Sequence, residues 1–228
     1  MDPIHVVVLA AGLGTRMRSS KAKVLHSIAG RPLLEHVLAT AEKIEPESIH
    51  VVYGHAGDEV RQALSHRQVQ WVEQSEQLGT GHAVLQALPG IPDAALVLVL
   101  YGDIPLLDST TLRKVCEPAA IGRLGLVTTS LGDPTGYGRI LRDQAGKVLG
   151  IVEHQDASPE QLAIREWNTG LMALGAGALR GFLQQLDNDN SQGEYYLTDV
   201  IGLAARAGTL IETVSPRCLE EVLGVNDR

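Results

Sequence analysis

Residues 5–18 read HVVVLAAGLGTRMR. An apolar run of β-type residues leads straight into a loop of small residues with two glycines, and Thr15, Arg16 and Arg18 follow. Gly12 and Gly14 carry no Cβ and accept positive φ, so the backbone there can approach a ligand closely. Successive backbone N–H groups in such a turn make an anion-binding concavity. Arg16 adds a planar donor fork that matches phosphate oxygens. The spacing is neither G-x-G-x-x-G, because Met17 stands three positions after Gly14, nor G-x-x-x-x-G-K-[ST]. Taken alone, the segment reads equally well as a glycine-rich βα turn or as a phosphate loop. Basic residues behind it, Arg16 and then Lys23, favour the second reading.

Outward from this strand, strand-like and helix-like stretches alternate. Residues 32–44 place Leu33, Leu34, Val37, Leu38, Ala41 and Ile44 on one helical stripe, with Pro32 at the favoured first position. Strands are expected at 49–53, 69–72 and 95–101. Helices are expected at 57–66, with Val60, Ala63 and Leu64 inward, and at 81–88. The seven apolar residues of 95–101 suit a central strand covered on both faces. This alternation predicts an α/β fold built on a doubly wound, mostly parallel sheet. After about residue 124 the texture changes. GLVTTSL, YGRILR, KVLGIVE and EWNTGLMAL are strands with short connections, so antiparallel pairing is expected in the second half. Helices return at 176–187 and 197–207, and a last strand lies near 209–214.

Hydrophobic residues make up 44% of the 228 and charged residues 20%, the balance of a soluble globular domain. The formal charge of −8 argues against a broad nucleic-acid surface. Any anion site must therefore be local. Cys116 and Cys218 have no Cys or His at ligand spacing, which argues against a disulfide scaffold or a zinc site and makes a reduced, cytoplasmic chain the expectation. The start, MDPIHVVV, has no basic segment leading a long apolar one, and no run is long enough to span a bilayer.

Asp103, in LVLVLYGDIPLL, stands two residues past the buried run, where ligands of open α/β sheets bind. An Asp there is commonly a turn former or helix cap. With a phosphate loop on the same edge of the sheet, it would instead hold a hard divalent cation, most naturally Mg²⁺. Lys23 is either a solvated loop lysine or a point charge on a phosphate. GTGHA at 79–83 is either a helix start capped by Thr80 or a set of backbone donors for a base or phosphate. Gln74 and Gln77 are surface glutamines or partners of a nucleobase edge. Gly138, Glu153, Asn168 and residues 193–199 supply the carboxylate, carboxamide, hydroxyl and backbone N–H groups that a sugar needs, though each alone reads as structural. His26, His82 and His154 have no nucleophile beside them in sequence and are read as loop or capping histidines.

The motifs LAAGLGTRM, KVLH, EQLGTGHA, LYGDIPL, DPTGYGRI, GIVEHQDA, NTG, GEYYLTD and GVNDR, in this order, resemble the uridylyltransferase domain of the bacterial bifunctional enzymes that make UDP-N-acetylglucosamine. The resemblance runs from residue 5 to residue 228. It implies a Rossmann-like nucleotidyltransferase fold, with a nucleotide-binding half over about 1–123 and a sugar-binding half over about 124–228. It implies Mg²⁺-dependent uridylyl transfer from UTP to N-acetylglucosamine 1-phosphate, serving cell-wall precursor synthesis, with pyrophosphate leaving. Another sugar 1-phosphate is the alternative.

By the same resemblance, Arg16 and Lys23 are catalytic, acting on the nucleotide's phosphates. Leu9, Ala11, Gly12, Gly14 and Thr15 hold the nucleotide, and Gln74, Gly79 and Thr80 surround the uracil. Asp103 and Asn226 are the protein ligands of Mg²⁺, with Asn226 also touching substrate. Tyr101, Gly138, Glu153, Asn168, Tyr196 and Thr198 line the sugar-phosphate pocket. Two positions depart from the pattern: Ala22, often proline in relatives, and Leu13, often lysine. Full-length relatives continue into a hexapeptide-repeat region that carries acetyl transfer and trimerisation. No six-residue apolar period occurs here. The expectation is a chain without that region, monomeric or weakly associated, with small-molecule substrates and neither nucleic-acid nor membrane partners. A dinucleotide-binding oxidoreductase is disfavoured by the broken glycine pattern and by Tyr53-Gly54-His55 where an acidic residue should end the second strand.

Overall fold

The computed structural model describes residues 2–12, 21–54 and 57–225. The first strand, β1 (Ile4–Ala10), is buried over His5–Ala10. It pairs in parallel with β4 (Ser48–Tyr53) on one side and β6 (Leu96–Tyr101) on the other. β4 in turn pairs in parallel with β5 (Gln70–Glu73). On the far side of β6 lies β10 (Glu166–Gly175), then β7 (Leu124–Ser130) and β11 (Ile211–Val214). β10 runs opposite to both β6 and β7, while β7 and β11 are parallel. The main path is thus β11-β7-β10-β6-β1-β4-β5, with β10 alone reversed. Among the described residues the sheet has nine strands, because β8 (Arg139–Arg142) and β9 (Val148–Val152) form an antiparallel pair attached through β10. A mostly parallel core with an antiparallel extension is the expected architecture. Strands from both halves of the sequence share one sheet.

The strands alternate between two cores, as a period of two requires. Val6 and Val8 of β1 and Leu96, Leu98 and Leu100 of β6 face one side. There they meet α1 (Leu33–Glu42) and α4 (Ser109–Ala119) through Leu34, Val37, Leu38, Leu112 and Val115. Val7, Leu9, Val97 and Val99 face the other side. They meet α3 (Thr80–Ala87), α6 (Ala176–Leu183) and α7 (Asp199–Arg206) through Val84, Leu179, Val200 and Ile201. Both faces are covered, so these strands can be apolar throughout.

Several local expectations are corrected. Pro32 is not the first helical residue. It is extended, with ψ 147°, pairs with Ser27 in the small hairpin of β2 (Ser27–Ile28) and β3 (Arg31–Pro32), and sits at the N-cap of α1. Ala63 is exposed. α2 (Gly57–Ala63) turns Gly57 and Val60 inward, Leu64 just beyond it is also buried, and Ala63 falls on the flank of that stripe. The helix α4, capped by Asp108 accepting from the Thr110 N–H at 2.7 Å, is one that the reading of the sequence did not include. A single-turn helix, α5 (Pro159–Leu162), has a capping box made by Ser158 and Gln161.

Candidate active site

The parallel strands deliver Ala10, Tyr53 and Tyr101 to one edge of the sheet, and reversed β10 brings its start, with Asn168, to the same edge. Gly102 continues the ladder by donating to the Leu9 carbonyl at 2.9 Å. Asp103 follows. Its backbone carbonyl accepts from the Val225 N–H at 2.9 Å, so the C-terminal segment returns to this loop. The Asp103 carboxylate forms an ion pair with the Lys23 ammonium, across 80 positions of sequence. Lys23 opens a 3₁₀ turn, Lys23–Leu25, whose Val24 and Leu25 are buried.

Beside Asp103 the sheet makes room for an aromatic ring. Gly170 has φ +87°, and a Cβ there would lie 2.3 Å from the Tyr101 ring. The Asn168 side chain holds this irregular stretch by accepting from the Gly170 N–H at 3.0 Å. Burial pushes the Tyr101 phenol well above its ordinary range, and the carboxylates of Glu153 and Asp103 add to the shift. The phenol therefore stays a neutral donor. Burial also raises the Glu153 carboxyl, against the hydrogen bond that the Thr198 hydroxyl donates to it at 2.8 Å. Gly138 faces this carboxylate: a Cβ there would lie 3.3 Å from Glu153 Oε2. A cavity of about 450 Å³ opens between β9, α7 and the segment after α6, with Glu153 and Tyr196 in its wall.

A second cluster lies at the start of α3. Gln74 is buried, not a surface glutamine, and its amide donates to the Gly79 carbonyl at 3.0 Å and lies 3.0 Å from His82 Nδ1. His82 lies in the first turn of α3, inside the helix expected at 81–88. Gly79, with φ +111°, occupies the N-cap, so Thr80 does not cap the helix. The Thr80 hydroxyl instead accepts from the Leu197 N–H at 3.0 Å. Gly81 N–H donates to the Tyr195 carbonyl at 2.8 Å, and the Tyr195 N–H donates to Leu78 at 2.8 Å. These contacts fasten the 193–198 segment onto the 74–80 loop. Sequence reasoning missed them; their trace is the G-T-G spacing itself, since a Cβ on Gly79 or Gly81 would press on the Tyr195 carbonyl.

Leu9, Ala11, Gly12, Lys23 and Asp103 thus gather at one end of the edge. Tyr101, Gly138, Glu153, Asn168, Tyr196 and Thr198 gather beside them, and Gln74, Gly79 and Thr80 join the two groups. A Cβ on Gly12 would meet nothing within 4 Å, so that glycine answers to no protein neighbour among the described residues. Gly14, Thr15, Arg16 and Asn226 lie outside the described residues, although Asn226 directly follows Val225. No group of three or more His, Cys, Asp or Glu that could hold a metal occurs among the described residues. A single carboxylate such as that of Asp103 nonetheless fits Mg²⁺, which takes one or two protein carboxylates and fills its octahedron with phosphate oxygens and water. Cys116 and Cys218 are both unpaired by any disulfide, and no helix among the described residues is long and apolar enough to cross a membrane.

Residues 6–194 match the MobA-like NTP transferase domain. The chain belongs to that family. A bifunctional protein GlmU from Idiomarina loihiensis is 51% identical over 225 residues, covering 99% of this chain and 49% of the relative. One from Azotobacter vinelandii is 54% identical, covering 99% and 49%. One from Coxiella burnetii is 52% identical, covering 99% and 50%. The chain therefore spans about half the length of the curated relatives it matches. Among solved structures, a UDP-glucose pyrophosphorylase complexed with UDP-glucose superposes with a TM-score of 0.76 at 16% identity, over 97% of this chain and 96% of that one. A nucleotidyl transferase from Methanothermobacter gives 0.68 at 22%, over 100% and 93%. These two likenesses establish the nucleotidyltransferase fold.

Proposed function

We propose that this MobA-like NTP transferase moves the uridylyl group of UTP onto N-acetylglucosamine 1-phosphate, releasing pyrophosphate and giving UDP-N-acetylglucosamine. The observation that carries the reading is the match, at 51% or more over 225 residues, to proteins named GlmU, joined to the clustering, on one sheet edge, of those expected site residues that the structure describes. The sugar phosphate brings an ionised oxygen to the reaction at neutral pH, so no general base is required. What remains is to align that oxygen with the α-phosphorus, opposite the departing pyrophosphate, and to offset charge.

The uracil lies against Gln74, Gly79 and Thr80, whose backbone is fixed before substrate arrives. Lys23, with Arg16, neutralises the leaving phosphates. Tyr101, Gly138, Glu153, Asn168, Tyr196 and Thr198 orient the sugar; the Glu153 carboxylate accepts from its hydroxyls, and the missing side chain at Gly138 keeps that carboxylate uncrowded. Asp103 and Asn226 hold Mg²⁺, which when bound screens the repulsion between the two phosphates. The uracil and sugar subsites share the Thr80–Leu197 contact, so one wall serves both substrates.

A pyrophosphate-release assay with UTP, Mg²⁺ and a panel of sugar 1-phosphates tests the reading. Release is expected with N-acetylglucosamine 1-phosphate. Faster release with another sugar 1-phosphate moves the specificity, and silence across the panel refutes uridylyl transfer.

A further inference from the structure

The proposed reaction assigns Asp103 and Lys23 to different partners, the carboxylate to a divalent cation and the ammonium to a phosphate. In the structure the two groups neutralise each other. We propose that Lys23 is a placeholder for the cation: in the nucleotide-free protein its ammonium occupies the Asp103 carboxylate, and it hands that carboxylate over when it moves to the nucleotide's phosphate. This inference rests on the reading of Asp103 as a metal ligand.

The surroundings suit an exchange made by one side chain. The backbone on both sides is fixed. Leu25 donates to Ala22 at 3.0 Å and His26 to Lys23 at 3.1 Å, closing the turn that carries Lys23, while Val24 and Leu25 anchor it in the core. On the other side, Asp103 is held between the β6 ladder and Val225. What can move is the four-carbon stem of Lys23, with a compact charge at its tip that pairs with a carboxylate or a phosphate without strict geometry. The paired side chains are 15% and 21% exposed, so the pair is partly shielded yet open to an incoming ion.

An ammonium and a divalent cation held on one carboxylate repel each other, and the cation loses part of the carboxylate's charge to the ammonium. Lys23 must therefore weaken metal binding until a phosphate draws it away. The two ligands then favour each other by the same factor, as linkage demands.

The test uses Mn²⁺ alone as the probe, followed by electron paramagnetic resonance in nucleotide-free protein, with circular dichroism to confirm folding. Lys23→Gln is expected to bind Mn²⁺ roughly fivefold more tightly than the unaltered chain, the scale of a partly exposed ion pair. Lys23→Arg, which keeps the charge, is expected to bind as the unaltered chain does, and Asp103→Asn is expected to lose the site. Equal or weaker binding by Lys23→Gln, with the site still lost in Asp103→Asn, overturns the placeholder role and leaves the metal ligand standing. Undiminished binding by Asp103→Asn overturns the metal assignment and the placeholder with it.

Discussion

Asp103 shows how far one residue could be read from its neighbours in sequence. Its place two positions past a buried strand was enough to expect it at the carboxyl-end edge of the sheet, and the structure puts it at that edge. Its ion pair with Lys23, 80 positions away, has no local trace. Replacing Asp103 by Asn keeps the side-chain shape and removes the anionic ligand. Turnover should fall on the order of 10²-fold or more with little change in melting temperature, because a catalytic cation contributes several kcal/mol of charge stabilisation. Near-normal turnover at limiting Mg²⁺ would take Asp103 out of the metal site.

Glu153 invites a double measurement. Burial raises its carboxyl pKa above the ordinary 4.5, so the native state disfavours the ionised form. As the pH rises past 4.5 the unfolded chain releases its proton first, and the native state loses stability relative to it. Glu153→Gln should therefore melt higher than the unaltered chain at pH 7, with the gap closing below about pH 4.5. The same variant should raise KM for the sugar phosphate about tenfold, since a charged acceptor is lost, while UTP affinity by calorimetry stays level. A drop in UTP affinity instead would place Glu153 with the nucleotide.

At the scale of elements, the apolar runs and stripes were legible because burial imposes a period on the sequence. Helix α4 was equally periodic, with Leu112, Val115, Cys116 and Ala119 buried, but Thr110, Thr111 and Pro118 obscured it. What periodicity could not supply was the use of the α3 start as a fastening point. Gly79 combines φ +111° with ψ 175°, a region essentially restricted to glycine, and a Cβ would stand 2.6 Å from the Tyr195 carbonyl. Gly79→Ala should cost about 1–3 kcal/mol in urea unfolding and weaken both substrates together, because it parts the two subsite loops. Loss of one substrate alone would show that the loops act separately.

At the opposite edge, β1 and β4 are joined by another polar contact. Ser48 Oγ lies 2.7 Å from His5 Nδ1 and 2.8 Å from His50 Nε2, with both imidazoles buried. Burial holds both below the ordinary 6.5; the His5 charge lowers His50 further, and Glu47 partly restores His5. A depressed histidine adds stability above 6.5 that is lost as the pH falls through the range where only the unfolded chain takes up protons. The chain should weaken as the pH falls through and below 6.5, and His50→Gln should flatten that slope in urea titrations. An unchanged slope would mean that other groups govern the acid response.

For the whole molecule, the sequence-level division into a parallel first half and an antiparallel second half describes composition better than space. β10 comes from the second half and lies beside β6 in the middle of the sheet, and its reversal brings Asn168 to the edge that Asp103 already occupies. No local pattern announces that insertion, because pairing partners distant in sequence are chosen by the completed sheet. The same holds for the last described residues. Glu221 is buried, and its carboxylate accepts from the backbone N–H of Asp108 at 3.0 Å and of Arg217 at 2.7 Å, while Val225 donates to Asp103. The C-terminal segment is thereby tied across the loop that follows β6, and Asn226, proposed to work with Asp103, is the next residue in sequence. Glu221→Ala would leave two backbone donors without their acceptor, at a cost of about 1–3 kcal/mol. It touches neither substrate in the proposed reaction, so its effect on catalysis must pass through the position of residues 225 and 226. Turnover at limiting Mg²⁺ should then fall several-fold and recover as Mg²⁺ is raised, with KM for UTP measured at saturating metal unchanged. A variant that is destabilised in urea yet keeps the normal Mg²⁺ dependence would show that the closure of the chain supports the fold without serving the site.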